Sequence, residues 1–104
     1  MIRIKIIRAD GCVLGFECKG HAGYAEEGYD IICAAASTLT ITCANALESV
    51  AGVLADAKAE EGHMKVLIGK DQASHDTQVI FRTILQGLRD LADGYPEYLQ
   101  LKEN

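Results

Sequence analysis

The chain lacks the features that mark a nucleic-acid-binding, membrane or secreted protein. Ten lysines and arginines face 15 aspartates and glutamates, so the formal net charge is −5. This balance argues against a general grip on nucleic acid, which normally needs a basic patch. No run approaches the roughly 18–20 uncharged apolar residues that cross a bilayer. The first residues spread their charges among apolar positions, whereas a secretory signal sets them ahead of an apolar block. We therefore expect a cytoplasmic protein without a membrane partner.

The four cysteines, Cys12, Cys18, Cys33 and Cys43, do not indicate a disulfide framework. Nothing marks secretion, and 49% of the residues are hydrophobic, which is enough for a core without covalent links. We therefore interpret them as reduced thiols. A chain of 104 residues fits one domain, and we expect residues 1–104 to form it.

The spacing of apolar residues predicts four strands and two helices in the order ββαβαβ. Alternation predicts strands at residues 2–6, 12–19, 64–68 and 98–102, with a hairpin turn at Asp10-Gly11. A proline-free, alanine-rich segment predicts a helix from Ile31 to Lys58, with Asp30 as its N-cap. An apolar stripe predicts a second helix from about Ser74 to Ala92. The fold class is α+β, in two layers, with both helices on a four-stranded, mainly antiparallel sheet.

Cys33 is the strongest candidate for chemistry, because the Asp30 cap would put it in the first helical turn. The positive end of a helix favours an anion, and the thiolate is the reactive form of cysteine. His21 stands on the glycine-rich loop from Gly20 to Gly28 that leads into this helix. If the loop folds back, the two residues form a Cys–His pair that can attack a peptide carbonyl and protonate the leaving amine. Residue types alone give such a pair little specificity.

Several roles stay open on the residues alone. The amide hydrogens of the helix start could stabilise an oxyanion. Ser37, one turn beyond Cys33, could hydrogen-bond His21 or the substrate, or return its hydroxyl to the helix backbone. Asp30 could orient His21 or only cap the helix. A rival interpretation takes Cys18, His21 and Cys33 as zinc ligands, but it supplies only three ligands and Cys18 belongs to the core face of its strand. We expect no metal and no cofactor.

The loop and helix start resemble the ribosomal-processing cysteine proteases called Prp. Their signature is a Gly-His-Ala loop, then Gly-x-Asp, two apolar residues and Cys-Ala-Ala, with a serine soon after. The matching segments are Gly20-His21-Ala22, Gly28-Tyr29-Asp30 and Cys33-Ala34-Ala35, followed by Ser37. The resemblance extends over the whole chain in length and element order.

The resemblance implies an endopeptidase that removes an N-terminal extension from the large-subunit ribosomal protein numbered twenty-seven. It implies His21 and Cys33 as the catalytic pair, Asp30 and Ser37 as supporting residues, and a loop over the substrate. That loop contains Gly20, Ala22, Gly23 and Gly28. It also implies a homodimer, for which the alanine face from Ala34 to Ala51 would serve, with the ribosomal precursor as partner. From the charge balance we expect no direct contact with nucleic acid. The alternative is a non-enzymatic, ribosome-associated dimeric interaction protein.

Overall fold

The computed structural model of the chain describes residues 1–21, 23 and 30–103. Within these residues, five strands form one sheet and two long helices cover one of its faces. The elements are β1 (Ile2–Ala9), β2 (Cys12–Lys19), α1 (Ile31–Ser49), β3 (Asp56–Glu60), β4 (His63–Leu67), α2 (His75–Gly94) and β5 (Leu99–Lys102).

The strands lie in the order β3-β4-β2-β1-β5. All neighbouring pairs are antiparallel except β1 and β5, which run parallel. The tight turn between β1 and β2 uses Asp10 and Gly11, which both have positive φ angles, of 51° and 78°. Two successive positive φ angles are typical of the hairpin turn that matches strand twist. The predicted Asp-Gly hairpin is therefore confirmed.

Alternation along β1 divides the sheet into a core face and a solvent face. Ile2, Ile4 and Ile6 are buried, whereas Arg3 and Lys5 between them are exposed. The buried face packs against the apolar sides of both helices in one continuous core. The rings of Phe16 from β2 and Phe81 from α2 meet edge to face, with centroids 6.3 Å apart. The predicted arrangement of helices on a sheet is therefore correct.

The prediction of one helix from Ile31 to Lys58 is wrong beyond Ser49. The helix ends because Gly52 adopts a φ of 69°, and the N–H of Val53 donates to the Leu47 carbonyl at 2.8 Å. Residues 56–60 then form the edge strand β3, in which every residue is exposed. An edge strand without buried side chains has no apolar alternation, and its Ala, Lys and Glu residues are good helix formers.

The prediction of four mainly antiparallel strands is corrected in the same way. The sheet has five strands and is mixed, in the chain order ββαββαβ. The fifth strand is parallel to β1 because α2 carries the chain back across the sheet between β4 and β5.

Helix α1 also corrects the statement that no segment approaches a membrane span. The helix has 19 residues and contains an 18-residue window of mean hydropathy 1.4, so its length and composition alone would allow it to cross a bilayer. In the fold, its residues Ile32, Ala36, Cys43 and Leu47 are buried against the sheet. A core helix passes the same test of composition, so the test is weak support for a membrane segment.

Gly15 provides a test of the β2–β4 register. It pairs with Leu67, and a Cβ atom added to it would overlap the backbone carbonyl of Val66. We expect Gly15→Ala to lower the free energy of unfolding by roughly 1–3 kcal/mol or more, because backbone cannot move aside as a side chain can. Gly94→Ala, at the end of α2 with nothing within 4 Å, is the matched control. Equal urea midpoints for the two variants would contradict this register.

Candidate active site

A pocket of about 260 Å³ lies between the start of α1, the end of β2 and the β3–β4 turn. Helix α1 contributes Cys33, Ala36, Ser37 and Thr40. The end of β2 contributes Cys18, Gly20 and His21, and the β3–β4 hairpin contributes Glu60, Glu61, Gly62, His63 and Met64. Cys33 and His21, twelve positions apart in the chain, therefore line the same cavity.

Asp30 fixes Cys33 at the start of α1. One carboxylate oxygen, Oδ1, accepts hydrogen bonds from the backbone N–H groups of Ile32 and Cys33, both at 3.0 Å. Asp30 itself is buried, and its backbone φ and ψ are extended, as an N-cap requires. The Cys33 side chain is half-buried and faces the pocket. The predicted cap is confirmed.

The same cap changes the expectation that the helix start offers free amides to an oxyanion. The N–H groups of Ile32 and Cys33 donate to the Asp30 side chain, and the N–H of Ala34 donates to the Asp30 carbonyl at 3.0 Å. These three donors are therefore engaged inside the helix start. The helix end can still act on an anion in the pocket through its dipole, and a direct oxyanion donor would have to be a group other than these three.

His21 is held by a close approach between the end of β2 and the β3–β4 turn. The N–H of Gly20 donates to the Gly62 carbonyl at 2.9 Å. A Cβ atom on Gly62 would lie 3.1 Å from Nε2 of His21, so the ring lies against a residue with no side chain. Gly20 has a φ of 92°, and a Cβ atom there would meet the Met1 carbonyl oxygen. Glycine at these two positions therefore allows the imidazole to reach the pocket.

Ser37 also lines the pocket, and its side chain is not engaged in the helix backbone. Thr38 and Thr40 donate their hydroxyls to the carbonyls of Ala34 and Ala36, each at 2.9 Å. Within the described residues, the Ser37 hydroxyl makes no comparable bond. The interpretation of Ser37 as a serine bonded back to its own helix is therefore not supported, and its hydroxyl remains available to the pocket.

The other residues predicted for the substrate loop either do not line the pocket or lie outside the described residues. Gly23 is exposed, with a φ of 71°, and is not among the pocket residues. Ala22 and Gly28 lie outside the described residues, as do residues 24–27 and 29.

The sequence analysis missed the contribution of the β3–β4 hairpin. His63 lines the pocket, and its Nε2 lies 2.7 Å from Oε2 of Glu17 on β2. This hydrogen bond to His63 is the main cause that lowers the pKa of Glu17 below its usual value. Glu60 and Glu61 add two carboxylates to the same wall. The hairpin was missed because its first strand was predicted as the end of a helix.

The remaining thiols differ from Cys33 in their environment. Burial raises the pKa of both Cys18 and Cys43 to about 12. Both side chains are therefore protonated at neutral pH and inert as nucleophiles. Within residues 1–21, 23 and 30–103, no three His, Cys, Asp or Glu side chains are arranged to hold a metal ion. The zinc interpretation of Cys18, His21 and Cys33 gains no support from this part of the chain.

Comparisons with known proteins give the family of this chain and related folds. The family described as cysteine protease Prp matches residues 1–100. A ribosomal processing cysteine protease Prp from Staphylococcus aureus is 29% identical over 104 residues, covering 97% of each chain. A crystal structure from Streptococcus mutans superposes with a TM-score of 0.88 at 35% identity, covering 99% of this chain and 93% of that one. The S. aureus protease in complex with a covalently linked product peptide gives a TM-score of 0.90 at 28% identity over the whole of both chains.

The fold is α+β, and its pocket brings together a cysteine and a histidine. The chain belongs to the Prp family of cysteine proteases, since the family matches nearly its whole length. It is therefore a cysteine endopeptidase, and the non-enzymatic alternative is set aside.

Alkylation at neutral pH separates the four thiols. Cys12 and Cys33 are both half-buried, whereas Cys18 and Cys43 are buried. We expect iodoacetamide to label Cys33 fastest, because only this thiol lies at a helix start beside a histidine, and to leave Cys18 and Cys43 unlabelled. Peptide mapping by mass spectrometry measures each rate. Cys12 is the internal control of equal exposure class, and labelling of Cys12 as fast as Cys33 would contradict the expectation.

Proposed function

We propose that the protein removes an N-terminal extension from the precursor of the large-subunit ribosomal protein numbered twenty-seven during ribosome maturation. The observation that carries the proposal is the shared pocket of Cys33 and His21 in a chain of the Prp family. The relative from S. aureus is named a ribosomal processing protease and has been crystallised with a covalently linked product peptide. A linked product fits a mechanism in which a cysteine forms a bond to the substrate.

In the proposed reaction, Cys33 is the nucleophile and His21 the general acid and base. The Cys33 Sγ atom, as a thiolate, attacks the scissile carbonyl carbon and forms a tetrahedral intermediate. Collapse of this intermediate breaks the C–N bond, the leaving amine takes a proton from the His21 imidazolium, and a thioester remains on Cys33. His21 then takes a proton from water, whose oxygen attacks the thioester and releases the N-terminal peptide as a carboxylic acid. The thiolate–imidazolium pair is restored.

Asp30 and Ser37 support this pair in different ways. Asp30 holds the helix start through its bonds to the backbone of Ile32 and Cys33. Ser37 has a hydroxyl at the pocket wall one turn beyond Cys33, where it can bond the substrate backbone or His21. Gly20, Ala22, Gly23 and Gly28 belong to the loop that would close over a bound peptide. The assignments of Asp30, Ser37 and Gly20 rest on the structure and on the family resemblance of the motif. Those of Ala22, Gly23 and Gly28 rest on the resemblance alone.

We also propose a homodimer formed through the outer face of α1, in a single cytoplasmic protease domain of residues 1–104. Ile31 and Ile41 are 57% and 47% exposed, and Ala34 and Thr38 lie between them on the same side of the helix. Such small and apolar residues allow two helices to approach closely. An exposed apolar stripe of this kind is typical of an interaction surface.

Cleavage of a peptide that spans the extension of the organism's own precursor tests the main proposal. We expect Cys33→Ala to abolish cleavage, since Cys18, the other thiol that lines the pocket, is buried and protonated at neutral pH. We expect His21→Ala to lower kcat/KM by about 10²–10⁴-fold, the usual contribution of general acid–base catalysis. Mass spectrometry of the products gives both the rate and the scissile bond.

Cys12→Ala is the matched control, because Cys12 is also half-buried but lies outside the pocket. Its rate should equal that of the unmodified protein. The peptide should still bind Cys33→Ala, which shows that the variant is folded. Cleavage by Cys33→Ala at the normal rate would exclude this nucleophile. If the enzyme cuts other peptides but leaves the precursor peptide uncut, this substrate is excluded.

Two substitutions of Asp30 separate its capping role from an orienting role. Asparagine is as good an N-cap as aspartate, whereas Asp30→Ala should lower the free energy of unfolding by about 0.5–2 kcal/mol. We expect Asp30→Asn to keep both the thermal midpoint and most of the peptidase activity, because its amide oxygen can accept the same two bonds. A stable Asp30→Asn variant that loses about 10⁴-fold in rate would instead indicate that the carboxylate orients His21.

A further inference from the structure

The sheet face that carries no helix has a charge opposite to that of the whole chain. We call it the open face, and the strand registers define it. Arg3 pairs with Lys19 and with Gln100, and Lys5 pairs with Glu17 and with Lys102. Glu17 and Lys19 pair in turn with Lys65 and His63 of β4, which pair with Lys58 and Glu60 of β3. Because cross-strand partners lie on the same face of a sheet, these side chains form one surface.

Basic residues are concentrated on this open face. It holds six of the ten lysines and arginines of the chain, namely Arg3, Lys5, Lys19, Lys58, Lys65 and Lys102. Of the 13 acidic residues that the structure describes, it holds only three, namely Glu17, Asp56 and Glu60. The net charge of −5 therefore combines a positive sheet face with a strongly negative remainder.

Most of these cations form no ion pair with a described carboxylate. Lys19 and Lys58 have carboxylates at 3.9 and 3.7 Å, those of Glu17 and Glu60. The other four, Arg3, Lys5, Lys65 and Lys102, have no carboxylate within 4.0 Å in the described part of the chain. These four cations lie on three strands, β4, β1 and β5. Three of them are exposed, and Lys65 is half-buried.

We propose that the open face binds the phosphate backbone of RNA, and specifically ribosomal RNA of the large subunit. Cations spread over a flat sheet, with strands about 4.8 Å apart, suit a partner that presents many separated negative charges. The face carries no aromatic side chain in the registers above, so it lacks the platforms on which single-stranded bases stack. Binding should therefore follow the backbone without reading sequence.

A second copy of the chain does not fit the same face. A two-fold contact would set this positively charged face against an identical positively charged face, and like charges brought together oppose association. The proposal that the bound RNA is ribosomal rests on the proposed function. The proposal that the face binds RNA rests on the charges of the face and not on that function.

The open face borders the pocket. His63 lines the pocket and also belongs to the open face, and the β3–β4 hairpin forms the border between them. RNA held on the open face would lie next to the peptide site. A precursor protein already bound to that RNA would then meet Cys33 at a raised local concentration.

Salt-dependent binding to a fluorescently labelled fragment of large-subunit ribosomal RNA tests the proposal. With four unpaired cations on the face, log K should fall against log[KCl] with a slope of about −3.6, or about 100-fold between 50 and 200 mM. Lys5→Gln with Lys65→Gln should reduce the slope by about 2 and weaken binding at every salt concentration.

Lys70→Gln with Arg82→Gln is the matched control, since it changes the net charge equally at residues off the open face. This control should bind as the unmodified protein does. Equal losses in the two double variants would overturn the proposal, because they would reflect net charge alone. So would tighter binding to vesicles of anionic phospholipid than to RNA at equal phosphate concentration, or no binding to RNA at all.

A second double variant and a cleavage assay complete the test. Arg3→Gln with Lys102→Gln repeats the test on other strands in case the first double variant does not fold. All variants should cut the free peptide at the normal rate, because none of these residues lines the pocket. Failure of the unmodified protein to cut the peptide would reject the proposed function and leave the RNA measurement intact.

Discussion

The site depends on the hydrogen bonds that Asp30 makes to the first turn of α1. The carboxylate accepts two backbone N–H groups, including that of Cys33, and so fixes where the helix begins and which way the cysteine faces. The same bonds bring a negative charge to the helix end. That end carries only about half an elementary charge, and a Cys33 thiolate would have to share it with the capping carboxylate. The proposed reaction therefore needs a neighbouring cation, and His21 can supply it, since the other described histidine of the pocket, His63, is hydrogen-bonded to Glu17.

A second constraint joins the histidine to the rest of the fold. The bond from Gly20 to the Gly62 carbonyl ties the end of β2 to the β3–β4 turn, and the imidazole lies against Gly62. Both glycines have positive φ angles, and a side chain on either would meet its neighbours closely. Backbone contacts between the elements therefore assemble the pocket. The side chains assigned to the proposed reaction lie at the ends of those elements.

The sequence predicted the parts of this arrangement that leave a local signal. A capping aspartate followed by a long alanine-rich run marks the start of α1, and the alternation of Ile2, Ile4 and Ile6 marks β1. The end of α1 was missed because a single glycine, Gly52, stops it and the residues that follow still favour helix. Edge strand β3 buries no side chain, so its place is set by pairing with β4, which no local pattern encodes.

The missed strand explains why the site was only half visible in the sequence. Cys33, His21 and Ser37 could be grouped because a loop and a helix join them in the chain. His63, Glu60 and Glu61 reach the pocket only through the registers that place β4 beside β2 and β3 beside β4. Such contacts between distant residues are set by tertiary packing, and the sequence instead predicted most of β3 as the end of a helix.

The alternation that builds the core also decides where the charges lie. Each strand that turns an isoleucine, phenylalanine or valine inward turns its next residue outward, so the pattern that buries β1 also presents Arg3 and Lys5 to solvent. A shift of one residue in register would bring those cations into the core, where burying an unpaired charge costs too much free energy. Core packing therefore fixes the positive surface as firmly as it fixes the hydrophobic one. The acidic residues are excluded from that surface mostly because they occupy helices, turns and loops, and a net charge summed over the chain cannot reveal this separation.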